Sequence, residues 1–287
     1  MQKSFPAAEV ATATGARPAE WERVESTGYG RNTAHWRVRL TDGRRTFVKE
    51  ALDEDCKDWL RTEYRVYSGV RGDFLPDLVG WHDGRVTLLA LEDLADAHWP
   101  PPWRRGDVDA VLEALDRLHS AVPPDGLPRV EDLRFRLNGW EDVAADPEPL
   151  LATGLCSREW LETNLPALLD AARTCVLDGG DLLHLDVRSD NLCLRERRAV
   201  LVDWNLAGVG NGLLDVVAWA PSLKLEGGPE PWELVPDSQG LSALIAGFFA
   251  ARAGLPPPPT APTVREFQRV QAEVALPWAA RELRLAA

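Results

Sequence analysis

Alternating apolar and polar positions characterise the first third of the chain. Residues 35–40 (HWRVRL) alternate apolar with basic side chains, and residues 46–49 (TFVK) continue as a β-rich run after an Asp-Gly turn. Residues 78–82 and 85–89 repeat this arrangement around a second Asp-Gly pair. A period of two on both sides of Asp-Gly predicts two β-hairpins, each closed by a two-residue turn.

One helix is predicted between the two hairpins. Its apolar side chains recur at helical spacing, and Gly69 supplies a C-terminal stop. The apolar stripe consists of Cys56, Trp59, Leu60, Val66 and Tyr67. Glu63 lies on the same stripe, where a carboxylate is costly unless a cation pairs with it.

Helical periodicity dominates after the second hairpin. One helix is predicted over residues 157–175, with an interruption at Pro166. The last helix is predicted to begin with a capping box formed by Thr263 and Glu266. The order of elements predicts an α+β protein, in which a small β-rich part precedes a larger and mostly helical part.

Charge and cysteine usage limit the possible partners. Acidic residues outnumber basic ones by 45 to 32, which gives a net charge of −13 and argues against nucleic acid or an anionic membrane as partner. Simple solubility explains this charge, and an acidic cleft for a cationic substrate is the alternative. The four cysteines stand singly and no run of about 20 apolar residues occurs, so we expect free thiols and a cytoplasmic protein.

The most informative segment is a polar loop between apolar runs. Residues 192–194 and 199–202 are predicted to pair as antiparallel strands, so Asn191 and Asp203 emerge from the same end of that pair. Their side-chain oxygens are ligands that Mg²⁺ accepts. Asp186, five residues before Asn191, is a carboxylate placed to orient a hydroxyl group and receive its proton. The alternative is an ordinary surface loop rich in Asp and Asn.

The pattern His184-x-Asp186-x-x-x-x-Asn191 with a downstream Asp203 resembles the catalytic loop and metal-binding aspartate of aminoglycoside phosphotransferases and choline kinase-like phosphotransferases. That family is similar in fold to protein kinases. Leu185 departs from the pattern, because members often have glycine there, and we expect the loop backbone to differ accordingly.

The resemblance implies a bilobal, protein-kinase-like α+β fold. Residues 1–90 would form a small N-terminal nucleotide-binding lobe, with an antiparallel sheet and one helix. Residues 91–94 would form the hinge, and residues 95–287 a larger, mostly helical C-terminal lobe that carries the catalytic and acceptor-binding residues.

Lys49 is the candidate phosphate-binding lysine. With a two-residue turn, Lys49 pairs across from Trp36 and Phe47 across from Val38, so the four side chains would share one face of the sheet. In the kinase-like fold the helix that bears Glu63 packs beside this strand, which implies a Lys49–Glu63 ion pair at the nucleotide site. The alternative is a surface lysine whose stem covers apolar side chains.

Other candidate residues follow from the same resemblance. Gly28 and Gly30 precede the first hairpin and would let backbone amides approach phosphate oxygens. Backbone groups near Leu91 would bind the edge of the base. Arg188 stands two residues after the catalytic carboxylate and would stabilise charge on the transferred phosphate, with a salt bridge to Asp190 as the alternative.

Two further residues are expected to have structural roles, and four tryptophans are candidates for substrate stacking. We expect His119 to pack near the catalytic loop, and Asp215 to cap the following helix and steady the loop. The tryptophans of the predicted acceptor side are expected mainly to pack, with stacking on a substrate as the alternative: Trp99, Trp103, Trp140 and Trp160.

The implied reaction is transfer of the γ-phosphate of ATP, or alternatively GTP, to a hydroxyl group of a small molecule with Mg²⁺ as the metal. Four acidic residues of the predicted acceptor region make a cationic acceptor plausible, such as an aminoglycoside or another amino-bearing antibiotic, with solvated charges at a helix end as the alternative: Glu131, Asp132, Glu141 and Asp142. The sequence leaves open whether the purpose is antibiotic resistance, self-protection or metabolism. The alternatives are a kinase for choline, homoserine or an amino sugar, a nucleotide-binding pseudokinase, and a nucleotidyl transferase. We expect a monomer or homodimer.

Overall fold

The computed structural model describes residues 4–25, 33–259 and 261–286. The N-terminal part is a five-stranded antiparallel sheet with the order β1-β2-β3-β5-β4. The strands are β1 (Pro18–Val24), β2 (Thr33–Leu40), β3 (Arg45–Ala51), β4 (Leu78–His82) and β5 (Leu88–Glu92). Both predicted hairpins are present, and β5 lies between β3 and the edge strand β4.

The first helix and the first strand were not indicated by the sequence pattern. Helix α1 (Ala7–Thr14) buries Val10 against Trp36 and Val48 on one face of the sheet. Strand β1 is largely exposed and lacks the alternation of buried and exposed positions that a half-buried strand shows.

Helix α2 (Glu54–Gly69) is the helix predicted between the hairpins, and it covers the opposite face of the sheet. Asp53 caps its first turn by accepting a hydrogen bond from the Cys56 N–H at 2.8 Å. Leu60 packs into the core, and Glu63 on the same side of the helix is only 1% exposed. The buried side of α2 therefore carries a carboxylate towards the sheet.

The register of the first hairpin differs by one residue from the predicted register. Lys49 lies opposite His35, not opposite Trp36. The connection has three residues instead of two, and it is closed by a hydrogen bond of 3.0 Å from the Gly43 N–H to the Leu40 carbonyl. Gly43 has a φ of +90°, which is typical of three-residue hairpin loops with glycine in the left-handed position.

This shift changes which side chains share the face of Lys49. A slip of one residue moves every side chain of a strand to the other face. Trp36 and Val38 are consequently buried on the α1 side, and the prediction that they share a face with Lys49 and Phe47 was wrong. Arg37 lies opposite Phe47 in place of Val38.

The second hairpin also has a longer connection than a two-residue turn. His82 pairs with Leu88, so strand β5 begins later than the sequence pattern indicated. The carboxylate of Asp83 accepts hydrogen bonds from Arg61 of α2 at 2.9 Å and from the Thr87 hydroxyl at 3.1 Å. Asp83 thus anchors the loop to the helix instead of forming a tight turn with the following glycine.

The C-terminal part is mostly helical, and the predicted α+β class is confirmed. Its helices are α3 (Asp107–His119), α4 (Arg134–Leu137), α5 (Trp140–Ala145), α6 (Glu148–Ala152), α7 (Arg158–Thr174), α8 (Leu213–Leu225), α9 (Pro231–Leu234), α10 (Leu241–Ala253) and α11 (Val264–Glu282). Two short antiparallel pairs lie among them, β6 (Asp181–Leu183) with β9 (Gly208–Gly210) and β7 (Leu192–Arg195) with β8 (Arg198–Leu201). The predicted pairing of β7 with β8 is confirmed.

Two predictions about helix boundaries were wrong. Helix α7 continues through Pro166, which is exposed, so the Glu162 carbonyl left without an N–H partner lies on the solvent side. Thr263 makes no side-chain capping bond at the start of α11. Glu266 forms an ion pair with Arg269 instead, which withdraws the carboxylate that a capping box requires.

A shared apolar core joins the sheet to the helical part. Leu60 of α2, Leu115 of α3, Leu192 of β7 and Trp204 are buried in one cluster. This cluster holds the helix that carries Glu63 against the strands that flank the polar loop. Within the described ranges, no helix is both long enough and apolar enough to cross a membrane.

Candidate active site

A cleft of about 490 Å³ opens between the sheet and the β7–β8 pair. The polar residues that the sequence analysis singled out line this cleft together: Lys49, Glu63, Asp186, Arg188, Asn191 and Asp203. They come from β3, α2 and the loops on either side of β7 and β8. The fold therefore brings together residues that are more than a hundred positions apart in the sequence.

Lys49 joins two of these carboxylates. Its ammonium donates to the two Glu63 oxygens at 2.7 and 2.8 Å and to Asp203 Oδ1 at 2.9 Å. Burial by itself would lower the pKa of Lys49, but the carboxylates of Asp203 and Glu63 outweigh burial and raise it. Lys49 is therefore charged at neutral pH, and the predicted Lys49–Glu63 ion pair is confirmed.

The sheet face beside Lys49 carries residues that the predicted register had placed elsewhere. The rings of His35 and Phe47 are 5.4 Å apart, and Arg37 Nε lies 3.4 Å from the buried carboxylate of Asp93 just after β5. Burial, reinforced by the Lys49 ammonium, lowers the pKa of His35 to about 4. His35 is therefore neutral near pH 7 and presents an uncharged ring to the cleft.

Asp215 holds the start of the polar loop. This fully buried carboxylate accepts hydrogen bonds from the backbone N–H groups of His184 at 2.9 Å and Leu185 at 2.7 Å. Its Oδ2 also lies 3.1 Å from His119 Nε2. The predicted structural roles of His119 and Asp215 near the loop are confirmed, whereas Asp215 lies inside the first turn of α8 and does not cap that helix.

The imidazole of His184 ties the loop to the strand that precedes Asp203. Its Nε2 donates to the Val202 carbonyl at 2.9 Å, and its Nδ1 accepts from the Asp186 N–H at 3.2 Å. The two bonds assign the proton to Nε2. The centre of the ring also lies 4.5 Å from that of the Trp204 ring, so two hydrogen bonds and one ring contact hold its orientation.

Leu185 adopts a conformation that favours glycine. Its φ is +63°, where the β-carbon of an L-residue crowds the neighbouring carbonyl oxygen at a cost of about 1–2 kcal/mol. The hydrogen bond from its N–H to Asp215 holds the backbone in place. Leucine in place of the glycine of the pattern is therefore accompanied by local backbone strain at this residue.

Asp186 and Asn191 form a hydrogen-bonded pair at the floor of the cleft. The Asn191 amide Nδ2 donates to Asp186 Oδ2 at 2.8 Å and to the Asp186 carbonyl at 2.9 Å. This arrangement fixes the orientation of the catalytic candidate Asp186. It also turns the amide oxygen of Asn191 away from Asp186, which leaves an oxygen donor for a metal ion.

Asp203 completes the set of oxygen donors. It sits in the left-handed region at φ +69° and accepts hydrogen bonds at Oδ1 from Lys49 and, at 2.7 Å, from Asn205 Nδ2. One carboxylate and one amide oxygen suit Mg²⁺, which typically takes few protein ligands and completes its shell with phosphate and water. Among the described residues, no cluster of three or more His, Cys, Asp or Glu side chains forms a separate metal site.

Arg188 lies between two carboxylates and an aromatic ring. Its guanidinium pairs with Asp190 at 2.8 Å, lies 3.6 Å from Asp186 and stands 5.4 Å from the ring centre of Phe267 on α11. The salt bridge to Asp190 that the sequence left as an alternative is therefore formed. Phe267 was not anticipated, because its place beside the loop depends on the packing of the last helix.

Of the remaining candidates for the nucleotide site, the structure describes Leu91 but not Gly28 and Gly30. Leu91 lines the cleft and lies opposite Phe47 in the pairing of β3 with β5, and its carbonyl accepts a hydrogen bond of 2.6 Å from the Thr46 hydroxyl. Gly28 and Gly30 lie outside the described residues, so the prediction for them stays a prediction.

The tryptophans proposed for the acceptor side have separate roles. Trp99 lines the cleft near the end of β5, whereas Trp160 borders a separate groove between α7 and α11. Trp140 is fully buried and donates to the Ala243 carbonyl at 2.7 Å, so it is a core residue. Trp103 donates its indole N–H to Glu226 at 2.8 Å.

The acidic residues expected to attract a cationic acceptor do not line the cleft. Glu131 pairs with Arg134 at 2.9 Å, and Glu141 pairs with Arg173 at 2.7 Å. Arginine therefore already compensates the charges of Glu131 and Glu141, so these two residues do not support a cationic acceptor.

Several phosphotransferases of known structure share this fold. A thermostable mutant of aminoglycoside phosphotransferase APH(4)-Ia, in ternary complex with AMP-PNP and hygromycin B, matches 98% of this chain and 98% of its own at 15% identity and a TM-score of 0.60. A choline/ethanolamine kinase family protein from Mesorhizobium loti matches 93% of this chain and 92% of its own, with 15% identity and a TM-score of 0.56. Macrolide 2'-phosphotransferase type I matches 99% and 95%, with 16% identity and a TM-score of 0.54.

No family model and no curated protein sequence matches the chain. At these identities the likeness establishes the fold, and the predicted resemblance to the kinase-like fold of aminoglycoside and choline phosphotransferases is confirmed at that level.

Proposed function

We propose that this chain is a phosphotransferase that moves the γ-phosphate of ATP to a hydroxyl group of a small molecule. The observation that carries the proposal is the union, in one cleft, of the buried Lys49–Glu63–Asp203 cluster with the hydrogen-bonded Asp186–Asn191 pair. Phosphoryl transfer depends on positioning and on stabilisation of spread charge, with little covalent chemistry by the protein. These residues supply both requirements.

Each residue has a defined role in the proposed reaction. Asp186 orients the acceptor hydroxyl and takes its proton as the acceptor oxygen bonds to the γ-phosphorus and the bond from that phosphorus to the ADP oxygen breaks. Asn191 keeps Asp186 in place through its amide. Lys49, held by Glu63, binds the α- and β-phosphates. Arg188 forms a salt bridge with Asp190 at the edge of the cleft, and we assign to it the additional role of binding the transferred phosphate.

Asn191 and Asp203 are the residues that would hold Mg²⁺. When bound, the ion supplies charge neutralisation for the phosphate oxygens. Lys49 and Asn205, which both donate to Asp203 Oδ1, keep that carboxylate compensated and oriented towards the cleft.

The nucleotide would lie against the sheet. We assign the base to the hinge at residues 91–94 and to the His35 and Phe47 rings, with GTP as an alternative donor, and the phosphates to the backbone near Gly28 and Gly30. This assignment keeps the division into a nucleotide-binding lobe, a hinge and a catalytic lobe expected from the sequence.

For the acceptor we propose an amino-bearing antibiotic first and a small metabolite such as choline, homoserine or an amino sugar second. The first choice is supported by the fold shared with a protein solved with hygromycin B and with a macrolide phosphotransferase. The second is supported by the fold shared with a choline/ethanolamine kinase family protein.

Free cysteines at all four positions fit a reducing cytoplasm.

The test is ADP release with Mg²⁺-ATP against a panel of aminoglycosides, macrolides, amino sugars, choline and homoserine. Asp186→Asn is the inactive comparison, since its amide oxygen can still accept the bond from Asn191 while it can no longer take a proton. Asp170→Asn is the matched control, because Asp170 is an exposed carboxylate on α7, away from the cleft. We expect turnover with one class of acceptor, lost in Asp186→Asn and kept in Asp170→Asn.

Equal turnover by Asp186→Asn would contradict the assignment of the catalytic base. Tight, Mg²⁺-dependent ATP binding with no ADP release for any acceptor would favour the pseudokinase alternative, and AMP attached to a protein would favour nucleotidyl transfer.

A further inference from the structure

A buried serine inside the catalytic loop is tied to a distant carboxylate. Ser189 lies between Asp186 and Asn191 and begins the short helical turn Ser189–Asn191. Its hydroxyl donates to Glu226 Oε1 at 2.5 Å, across 37 residues of sequence. A hydrogen bond to a carboxylate is roughly twice as strong as one between neutral groups, so the contact restrains the turn.

Glu226 is itself fixed by its surroundings. It follows the last residue of α8, and its backbone N–H donates to the carbonyls of Ser222 and Leu223. Its Oε2 accepts the indole N–H of Trp103 at 2.8 Å. The Trp103 ring packs 5.6 Å from the buried Trp219 ring, so the carboxylate connects the loop to two well-packed segments.

The position of this carboxylate is not explained by the helix. A negative charge at a helix C-terminus is disfavoured, because the last carbonyl groups already carry partial negative charge. Glu226 therefore weakens α8 locally, and its two side-chain hydrogen bonds account for its presence there.

We infer that Glu226 is a positioning residue that acts through Ser189 on the Asp186–Asn191 pair. This inference rests on the proposed function. Asn191 is two residues beyond Ser189, and the turn is closed by a hydrogen bond of 2.9 Å from the Asn191 N–H to the Arg188 carbonyl. Rotation of the turn would move the Asn191 amide away from Asp186 Oδ2, which it holds at 2.8 Å. Glu226 thereby sets the orientation of the proposed base and of one metal ligand without touching the substrate.

The experiment compares Glu226→Ala, Glu226→Gln, Ser189→Ala and the Glu226→Ala/Ser189→Ala double variant. We expect each alanine variant to lower kcat about ten-fold with a much smaller change in the KM for ATP, because an oriented base matters most in the transition state. The double variant should be no worse than the single ones, since both remove the same contact. Glu226→Gln should restore most activity, because its amide oxygen can accept from Trp103 while its NH₂ group donates to the Ser189 oxygen.

Lys224→Ala is the matched control. Lys224 lies two residues before Glu226 and pairs at 2.5 Å with Glu230, so the variant removes an ion pair from the same helix end without touching the loop. Unchanged kcat in this control, with the losses described above, supports the inference. Additive losses in the double variant, or a lower melting temperature at unchanged kcat in Glu226→Ala, would overturn it.

A second measurement separates this inference from the proposed function. If the wild-type protein turns over no acceptor, the proposed function fails, but amide hydrogen exchange of residues 184–191 still reports on the loop. Faster exchange in Glu226→Ala and Ser189→Ala than in Lys224→Ala supports the positioning role. Equal exchange in all three variants contradicts it.

Discussion

His35 should make the stability of the protein depend on pH in the weakly acidic range. The imidazole is partly buried beside the Lys49 ammonium, with Asp203 and Arg23 as the other charged groups that act on it. Burial first, and Lys49 second, lower its pKa from 6.5 to about 4. The unfolded chain therefore binds a proton at His35 at a higher pH than the folded chain does, and stability falls as the pH drops from 6.5 towards 4.

The size of the effect follows from these two pKa values. At about pH 7.5 His35 is neutral in both states and contributes almost nothing to the pH dependence, whereas at about pH 5 the unfolded chain is protonated there and the folded chain is not. Proton linkage then gives a loss of about 2 kcal/mol at pH 5, rising to about 3 kcal/mol below the folded pKa. Asp203 raises the pKa of His35 and so limits the loss.

The assay is urea unfolding of the wild-type protein and of His35→Phe without nucleotide, at about pH 7.5 and about pH 5. Phenylalanine keeps a ring beside Phe47 but cannot titrate. The wild-type protein should lose about 2 kcal/mol more than the variant between the two pH values, since other titrating groups affect both proteins equally. Equal losses would refute the claim that the folded protein keeps His35 neutral.

Two further predictions concern the residues that hold the site together. Asp215→Ala leaves two backbone N–H groups of the loop without their acceptor, so we expect a loss of about 3 kcal/mol in urea unfolding, and a loss below about 1 kcal/mol would contradict this. Glu63→Gln removes one of the two carboxylates that pair with Lys49, so we expect about ten-fold lower kcat/KM for ATP. We also expect the free energy of unfolding to fall by about 2 kcal/mol, which is less than the loss from breaking a buried ion pair completely, because Asp203 still pairs with Lys49. Glu54→Gln, on the exposed side of the same helix, should change neither quantity.

The residues of the candidate site could be predicted because they lie in short segments of the sequence. Glu63 occupies an apolar helical stripe, so a cation had to pair with it, and Lys49 on a neighbouring strand was the candidate. Asp186, Asn191 and Asp203 flank two apolar strands joined by a tight turn, so local pairing alone brings them to one end. Local pairing of the two strands thus determines the positions of Asn191 and Asp203, whereas the packing of the Glu63 helix beside the Lys49 strand was expected from the resemblance to the kinase-like fold.

The face of the sheet that meets the nucleotide could not be predicted in the same way. An Asp-Gly pair suits both a two-residue turn and a three-residue loop, because each needs glycine at positive φ. The choice moves the register by one residue and exchanges Trp36 and Val38 for His35 and Arg37 on the cleft side. Helix α1, which covers the apolar residues on the other face, decides between them, and its own sequence pattern is too short to reveal it.

Two supports of the catalytic loop come from one helix, and the sequence predicted only the first of them: Asp215 was expected to steady the loop, whereas the contact of Glu226 with Ser189 was not anticipated. Asp215 in the first turn of α8 holds the start of the loop, and Glu226 just after its last turn holds Ser189. Asp215 and Glu226 are eleven positions apart, which corresponds to a rise of about 16 Å in a helix, and the four steps from Leu185 to Ser189 span at most about 14 Å when extended. The two lengths are similar, so the side chains of Asp215 and Glu226 reach both ends of the segment, in which Leu185 is left-handed and Arg188 is extended. One helix thus sets both ends of the segment that carries the proposed base, and a change that bends or shortens α8 should disturb Asp186 without altering any residue of the cleft.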